Sequence, residues 1–351
     1  MLSANFNGTE RHAVELANEL SRRGEVALLL RARPAEPHRH AAWETLRAAV
    51  APGVQVTTTA RTLPWLGLWT ALRRFRPHLI HAHYDRSVRV ATRCAAGVPV
   101  LATVHVRVTP DFLRCDGLVC LSDELAREVP ASYPGLVSVV GNWVLPHPRP
   151  PAARLAALRA GLGVGPTDYV VGSVGRLSPV KGMAGLLRAF AAAALPEARL
   201  VIAGEGEERA GLESLAAELG LGGRVVFAGF RRDIRDLYWM FDLFVLNSTE
   251  DPYPLAVLEA AQAGVPVIAS ATVGGREQAR LHPLRLVPVG DAAALAVALR
   301  QAWAGRFTPP PPLRGFSVED RVDELTATYR HLLQRHASRP RLGWPFHTES
   351  G

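Results

Sequence analysis

Two blocks of short apolar runs, each run followed by a helical stretch, constrain this chain more than any other feature. In the first block the runs are 26–30, 78–83, 98–106, 117–121 and 137–140. In the second they are 169–173, 199–203, 224–228, 243–246 and 265–269. These runs do not alternate apolar with polar, so each strand is expected to be covered on both faces. Strands of that kind separated by helices predict parallel sheets packed between helices. A first helix is read over 10–23, where Ala13, Leu16, Ala17 and Leu20 form one apolar stripe and Gly24 ends it. The Pro-rich joint Pro146-His147-Pro148-Arg149-Pro150-Pro151 separates the blocks. The fold class is therefore α/β, with two Rossmann-like open parallel sheets facing a central cleft. The domains are read as 1–148 and 149–316, followed by a helix over 317–337 that packs back on the first domain and a disordered tail over 338–351.

Composition narrows the class. A chain of 351 residues with 48% hydrophobic and 21% charged residues suits two globular domains with large cores. No apolar run approaches the roughly 18–20 residues of a membrane span. Asn5, Asn7, Glu10 and Arg11 interrupt any leader-like stretch, so a cytoplasmic location is expected. Cys94, Cys115 and Cys120 match no Cys-x-x-Cys spacing and read as buried reduced thiols. The net charge of +8 calls for an anionic partner. Nearly all of that positive charge is arginine, and Lys181 is the only lysine.

That lysine stands in a loop at a strand end, Gly175-Arg176-Leu177-Ser178-Pro179-Val180-Lys181-Gly182. Glycine there lets a ligand approach the backbone, Arg176 and Lys181 supply cations, and the following helix start adds partial positive charge. The loop suits a diphosphate. A second constellation, Glu250-Asp251-Pro252-Tyr253-Pro254-Leu255 and on to Glu259, follows the strand at 243–246. Asp251 is read at a helix start and Glu259 about two turns further along a similar face. Carboxylates accept hydrogen bonds from vicinal hydroxyls, so the pair suits sugar or ribose rings. In open α/β sheets ligands bind beyond the carboxyl ends of the strands, where both constellations fall.

These features in order resemble the retaining GT-B glycosyltransferases of family 4. Asn7-Gly8-Thr9-Glu10-Arg11-His12 is similar to that family's glycine-rich N-terminal loop and helix. His78-Leu79-Ile80-His81-Ala82-His83 resembles its Asp-led strand, with His78 where Asp is common, and His105 follows a strand as the family's active-site histidine does. Gly175, Arg176, Lys181 and Gly182 match its phosphate loop, and the stretches 200–206, 225–230 and 250–267 match further strand ends and its Glu-x7-Glu region. Two departures stand out. The first carboxylate is Asp251 where Glu is usual, with Glu250 beside it. The family also has a strand before its glycine loop, whereas Gly8 follows Met1 by only seven residues, so that strand is expected to be missing or short.

The resemblance implies transfer of a sugar from a nucleotide-sugar donor (UDP-, GDP- or ADP-linked) to a glycan or lipid-linked acceptor, with retention and without a metal or other cofactor. It implies that His105 and Asp251 bind the donor sugar, that Arg176 and Lys181 hold the leaving diphosphate, and that Glu259 binds the ribose. Gly8 and Gly175 would bring the backbone to the diphosphate, and Glu250, Tyr253, Pro254 and Leu255 would complete the donor-binding stretch. Polysaccharide or glycolipid synthesis at the cell surface is the implied setting. The residues themselves agree on the metal, since no Asp-x-Asp pair occurs. His38-x-His40 lies in a loop without partner carboxylates, and His81-x-His83 lies on a buried strand whose side chains alternate between faces. Between Leu63 and Pro77, Trp65 and Trp69 stand near Arg73, Arg74 and Arg76, which suits a helix lying on an anionic membrane. Other readings are a GT-B binding or regulatory protein without transfer, a nucleotide-sugar epimerase that needs no acceptor, and a nicotinamide dehydrogenase. The last lacks its Gly-x-Gly-x-x-Gly loop, and the scattered basic residues speak against nucleic acid.

Overall fold

A computed structural model describes residues 8–32, 40–60, 62–305 and 315–338, together with 307, 310, 311 and 313. The expectation of a missing or short first strand, and the expected tail beyond Ser338, lie outside those residues.

In the N-terminal half the strands are β1 (Val26–Arg31), β2 (Val54–Thr59), β3 (Ile80–His83), β4 (Val100–Val104), β5 (Gly117–Cys120) and β6 (Leu136–Val139). Its helices are α1 (Gly8–Leu20), α2 (His40–Ala48), α3 (Pro64–Phe75), α4 (Asp85–Cys94) and α5 (Asp123–Arg127). Strands β3, β4, β5 and β6 pair in that order, and β1 pairs with β2, all parallel.

In the C-terminal half the strands are β7 (Tyr169–Val174), β8 (Ala198–Ala203), β9 (Val225–Gly229), β10 (Leu243–Leu246), β11 (Val267–Ser270) and β12 (Arg285–Val287). The helices are α6 (Ala152–Gly161), α7 (Met183–Ala193), α8 (Arg209–Glu218), α9 (Ile234–Tyr238), α10 (Leu255–Gln262), α11 (Val273–Leu281) and α12 (Ala292–Trp303), followed by α13 (Val318–Ala337). The sheet order is β12-β11-β10-β7-β8-β9, again parallel throughout.

The continuous apolar runs now have a physical account. Leu243 and Val245 of β10 face one buried cluster, while Phe244 and Leu246 face another on the opposite side of the sheet. On β8, Leu200 and Ile202 go one way and Val201 and Ala203 the other. A strand with a core on each face can carry no polar alternation. Each such Leu, Val or Phe contributes about 1.5–3 kcal/mol by burial. Helix α13 lies on the N-terminal half: Val318, Val322, Leu325 and Leu332 cluster with Leu16 of α1, Leu101 of β4 and Val119 of β5.

The order of the C-terminal sheet positions the site. Strand β7 lies between β10 and β8, so the chain changes direction across the sheet at β7. That point, at the carboxyl ends of the strands, is where ligands bind in open sheets of this kind. The loops leaving β7 and β10 carry Arg176, Lys181 and Asp251.

Candidate functional site

After β7 the chain turns through Gly175, and a short 3-10 turn, Pro179–Lys181, presents the lysine. Gly182 follows with φ of 61°, and a Cβ there would sit 2.2 Å from the backbone oxygen of Asn247. Only glycine lets the loops from β7 and β10 come this close. At Gly175 an added Cβ would meet only the Lys181 side chain, at 3.7 Å, so no protein atom requires that glycine. Asn247 Nδ2 donates to the Gly182 carbonyl at 2.7 Å, and Thr249 N donates to the Val180 carbonyl at 2.8 Å. Helix α7 then begins without a side-chain cap, which leaves its first-turn amides available.

The two loops meet in a charge pair. Lys181 Nζ donates to Asp251 Oδ2 at 2.6 Å, with Asp251 almost wholly buried. Arg176, on the same loop as Lys181, is exposed; its carbonyl accepts from Ser178 N at 2.9 Å, and its side chain makes no hydrogen bond or ion pair among the described residues. Ser178 Oγ and Ser248 Oγ, both buried in these loops, have no hydrogen-bond partner among the described residues. Buried hydroxyls are normally paired, so two orphans here mark a place for polar ligand atoms.

Asp251 does not start a helix. Helix α10 begins at Leu255 with Pro254 as its cap, and Asp251 lies in the preceding loop, where its carbonyl accepts from Gly274 N at 2.9 Å. Glu250 is exposed. The Tyr253 ring points into the N-terminal core beside Val144 and Phe316, and its carbonyl accepts from Asn142 Nδ2 at 2.8 Å. Pro254 accepts from Gln278 Nε2 at 3.0 Å. Leu255 approaches Gly8, where an added Cβ would lie 3.2 Å from Leu255 Cδ1, so the starts of α1 and α10 face each other across the domain boundary. Glu259 is buried on α10. Its Oε1 pairs with Arg11 of α1, and its Oε2 accepts from the Tyr238 hydroxyl at 2.9 Å.

His105 follows β4 and belongs to a cluster. Its Nε2 lies 3.0 Å from His83 Nδ1, so one ring donates and the other accepts. His12 of α1 stacks on Trp143 at 3.9 Å, meets His105 edge-on at 5.1 Å and hydrogen-bonds Asn142 Oδ1 through Nδ1 at 2.9 Å. His81 stacks on His83 at 4.6 Å, between Tyr329 and Thr103. Residues two apart on a strand share a face, so His81 and His83 lie together and alternation does not separate them. Burial holds His12 and His81 down to about 3. It also holds His83 and His105 well below the ordinary imidazole value, helped by neighbouring rings, so all four rings are neutral at pH 7.

Potential ligand atoms of His12, His83 and His105 lie within 4.8 Å of one another, and among the described residues this is the one group whose donors could hold a metal ion. In the arrangement seen, however, His83 and His105 spend a nitrogen each on their mutual hydrogen bond. His40 belongs to the pair His38-x-His40, whose side chains lie outside the described residues. Tyr84, next after His83, has φ of 69° and bonds Thr9 and Glu10. A non-glycine residue held there costs roughly 1–3 kcal/mol and is common at functional sites.

Residues 156–309 match the family described as glycosyl transferases group 1, and residues 6–146 match glycosyltransferase family 4. The chain is also 30% identical over 319 residues to the lipopolysaccharide core biosynthesis glycosyltransferase LpsD of Rhizobium meliloti, covering 88% of this chain and 86% of that one. The chain belongs to the group 1, family 4 glycosyltransferases. D-inositol 3-phosphate glycosyltransferase of Mycobacterium bovis is 32% identical over 301 residues, 78% of this chain and 61% of that one. The crystal structure of Anabaena Alr3699/HepE in complex with UDP and glucose superposes with a TM-score of 0.76 at 22% identity, covering 94% of this chain and 98% of that one. That likeness places the chain in the two-domain GT-B fold.

Within this glycosyltransferase the fold brings Lys181 and Asp251 together, and Arg176, from the same loop as Lys181, is near enough to Tyr84 of the N-terminal half to act on it electrostatically. His105 belongs to the N-terminal half, its ring 6.1 Å from that of Tyr84. Arg11, His12, His83, Tyr84 and Tyr238 were not singled out from the sequence as site residues. For His12 and His83 a signal was present, since one lies on the first turns of α1 and the other ends β3. Nothing local in the sequence points to Tyr238, and Arg11 drew notice not by itself but as part of the stretch Asn7 to His12; both meet Glu259 only through the fold.

Proposed function

We propose that this glycosyltransferase moves a sugar from a nucleotide-sugar donor to a glycan or lipid-linked acceptor, with retention at the anomeric carbon and without a metal ion. The observation that carries the reading is the Lys181–Asp251 pair at the switch point of the sheet, flanked by orphaned hydroxyls and the uncapped start of α7. A cation beside a carboxylate suits a substrate that is anionic on one side and polyhydroxylated on the other. Lys181 and Arg176 take the diphosphate, and Asp251 turns to the sugar hydroxyls. His105, neutral and wired to His83, can accept or donate a hydrogen bond at the sugar.

In the step itself the acceptor oxygen bonds to the anomeric carbon on the face from which the diphosphate departs. The bond to the phosphate oxygen breaks with its electron pair, and that oxygen takes the acceptor's proton. Arg176, Lys181 and helix-start amides stabilise the charge that develops, each donor worth a few kcal/mol, about 2.7–4 for a well-placed one. UDP is the first nucleotide to test, because the Anabaena neighbour is titled as a complex with UDP and glucose. Lipopolysaccharide core or a related cell-surface glycan is the first acceptor class, after the name of the Rhizobium relative.

Helix α3 supports a peripheral contact with the inner face of a membrane: Leu63, Trp65, Leu66 and Trp69 are exposed, and Arg73 lies over the Trp69 ring at 4.3 Å. No helix among the described residues is long and apolar enough to cross a membrane. A thermal-shift screen against UDP-, GDP- and ADP-sugars tests the donor site, since a bound ligand raises the midpoint by mass action. One nucleotide series should shift the midpoint; no shift with any of them would overturn the reading.

A further inference from the structure

Glu259 is buried, yet both of its carboxylate oxygens are held by other residues. Arg11 reaches Oε1 from α1, in the other domain, and the Tyr238 hydroxyl reaches Oε2 at 2.9 Å. Behind Arg11 stands Glu15, whose Oε1 lies 3.7 Å from Arg11 Nε. Glu15 is itself held from both domains: Arg235 of α9 donates to Oε1 at 2.7 Å, and Trp143 Nε1 donates to Oε2 at 3.0 Å. The charges therefore alternate Arg235, Glu15, Arg11, Glu259 across the domain boundary. Arg11 Nε is buried and has no hydrogen-bond partner among the described residues, so the guanidinium is aimed by Glu259 more than by its own helix.

A carboxylate offers about four lone-pair sites. Arg11 and Tyr238 use one on each oxygen, which leaves one on each for a vicinal diol. Without Arg11, Glu259 would be a buried carboxylate with a single phenol for company. Such a group turns away toward other partners, and that spoils it as an aimed acceptor.

We infer that Arg11 is a positioning residue for the donor: reaching over from the N-terminal domain, it holds the Glu259 carboxylate aimed so that the nucleotide ribose is read only where the two domains meet. This rests on the nucleotide-sugar reading above. Arg11 touches Glu259 and not the reacting atoms, so its effect belongs in ribose recognition and not in phosphate binding.

The test is calorimetric titration of UDP and 2′-deoxy-UDP into wild type, Arg11→Met and Arg11→Lys. Wild type should prefer UDP by about tenfold, the equivalent of ~1.4 kcal/mol. Arg11→Met should bind the two nucleotides about equally, with its affinity for 2′-deoxy-UDP unchanged within roughly twofold. Arg11→Lys, which keeps a charge but loses the fork, should retain an intermediate preference. If the methionine variant does not fold, the lysine variant decides alone. An undiminished preference for UDP in the folded variants overturns the inference, and so does an equal loss of affinity for both nucleotides, which is plain structural damage. No ribose preference in wild type also overturns it. A wild type that binds no nucleoside diphosphate at all brings down the donor reading first, and the inference with it.

Discussion

Lys181 and Asp251 pair with each other where the proposed reading puts a diphosphate and a sugar side by side. Their pair is partly buried, so removing one partner leaves the other charge with less compensation than water would give it. Asp251→Asn should therefore do two different things. Turnover should fall by about two orders of magnitude or more if the carboxylate grips the sugar in the transition state, in the range found for removing a charge-stabilising donor. Affinity for free UDP should stay the same or rise, because Lys181 is released toward phosphate. Turnover measured beside calorimetric UDP binding separates the two. An Asp251→Asn variant with full turnover would move the sugar contact elsewhere, Glu250 being the nearest carboxylate in sequence. Asp251→Glu restores the longer arm usual in the family, and its turnover relative to wild type shows whether the shorter side chain limits the reaction.

At the scale of elements, α3 is the part whose surface least resembles that of a domain left alone in water. Trp65 and Trp69 are both about half exposed, while Leu68 and Pro64 face inward. Arg73 and Arg74 lie in the last turn. Co-sedimentation with vesicles should show binding to anionic lipid and little to neutral lipid. The double variant Trp65→Ser, Trp69→Ser should lose most of that binding without losing thermal stability, since neither ring is part of a core. Equal binding of the variant would remove α3 from any membrane role.

The elements also show what a sequence of this type discloses. The strands with a core on each face, such as β4, β8 and β10, were legible as apolar runs. Strands β2 and β12 were not, and both lie at sheet edges. Val54–Thr59 ends in three threonines and is partly exposed, and Arg285–Val287 is only three residues long, so neither carries the doubly buried signature. The start of α10 was readable but was placed too early. Asp251 and Tyr253 each precede a proline, and such residues are pushed out of the helical region, so the helix waits for Leu255. The loop 175–182 was legible because its glycines and cations sit in eight consecutive residues. The Glu259–Arg11 contact was not, because its partners are 248 residues apart and meet only through the fold.

For the molecule as a whole, the buried histidines couple the cleft to stability. In the unfolded chain an imidazole takes up a proton near pH 6.5. In the folded chain His12 and His81 do so only at about 3, and burial holds His83 and His105 low as well. Below pH 6.5 the unfolded state therefore binds more protons than the folded state. Stability is full above that value and falls as pH drops toward 3, by about 1.4 kcal/mol per pH unit for each such histidine. The unfolding midpoint should decline steeply between pH 6.5 and 4, and His81→Gln should flatten the decline. A midpoint independent of pH across that window would mean that the rings are not buried neutral. The measurement that bears most directly on the central claim is transfer of labelled sugar from UDP-hexoses to lipopolysaccharide-core acceptors, in excess EDTA, by wild type and Lys181→Ala. The account predicts transfer by wild type with the donor's anomeric configuration kept, and a loss of about a hundredfold or more in the alanine variant, with Lys181→Arg a poor rescue; near-normal transfer by Lys181→Ala, or wild-type transfer abolished by EDTA and restored by magnesium, would contradict it.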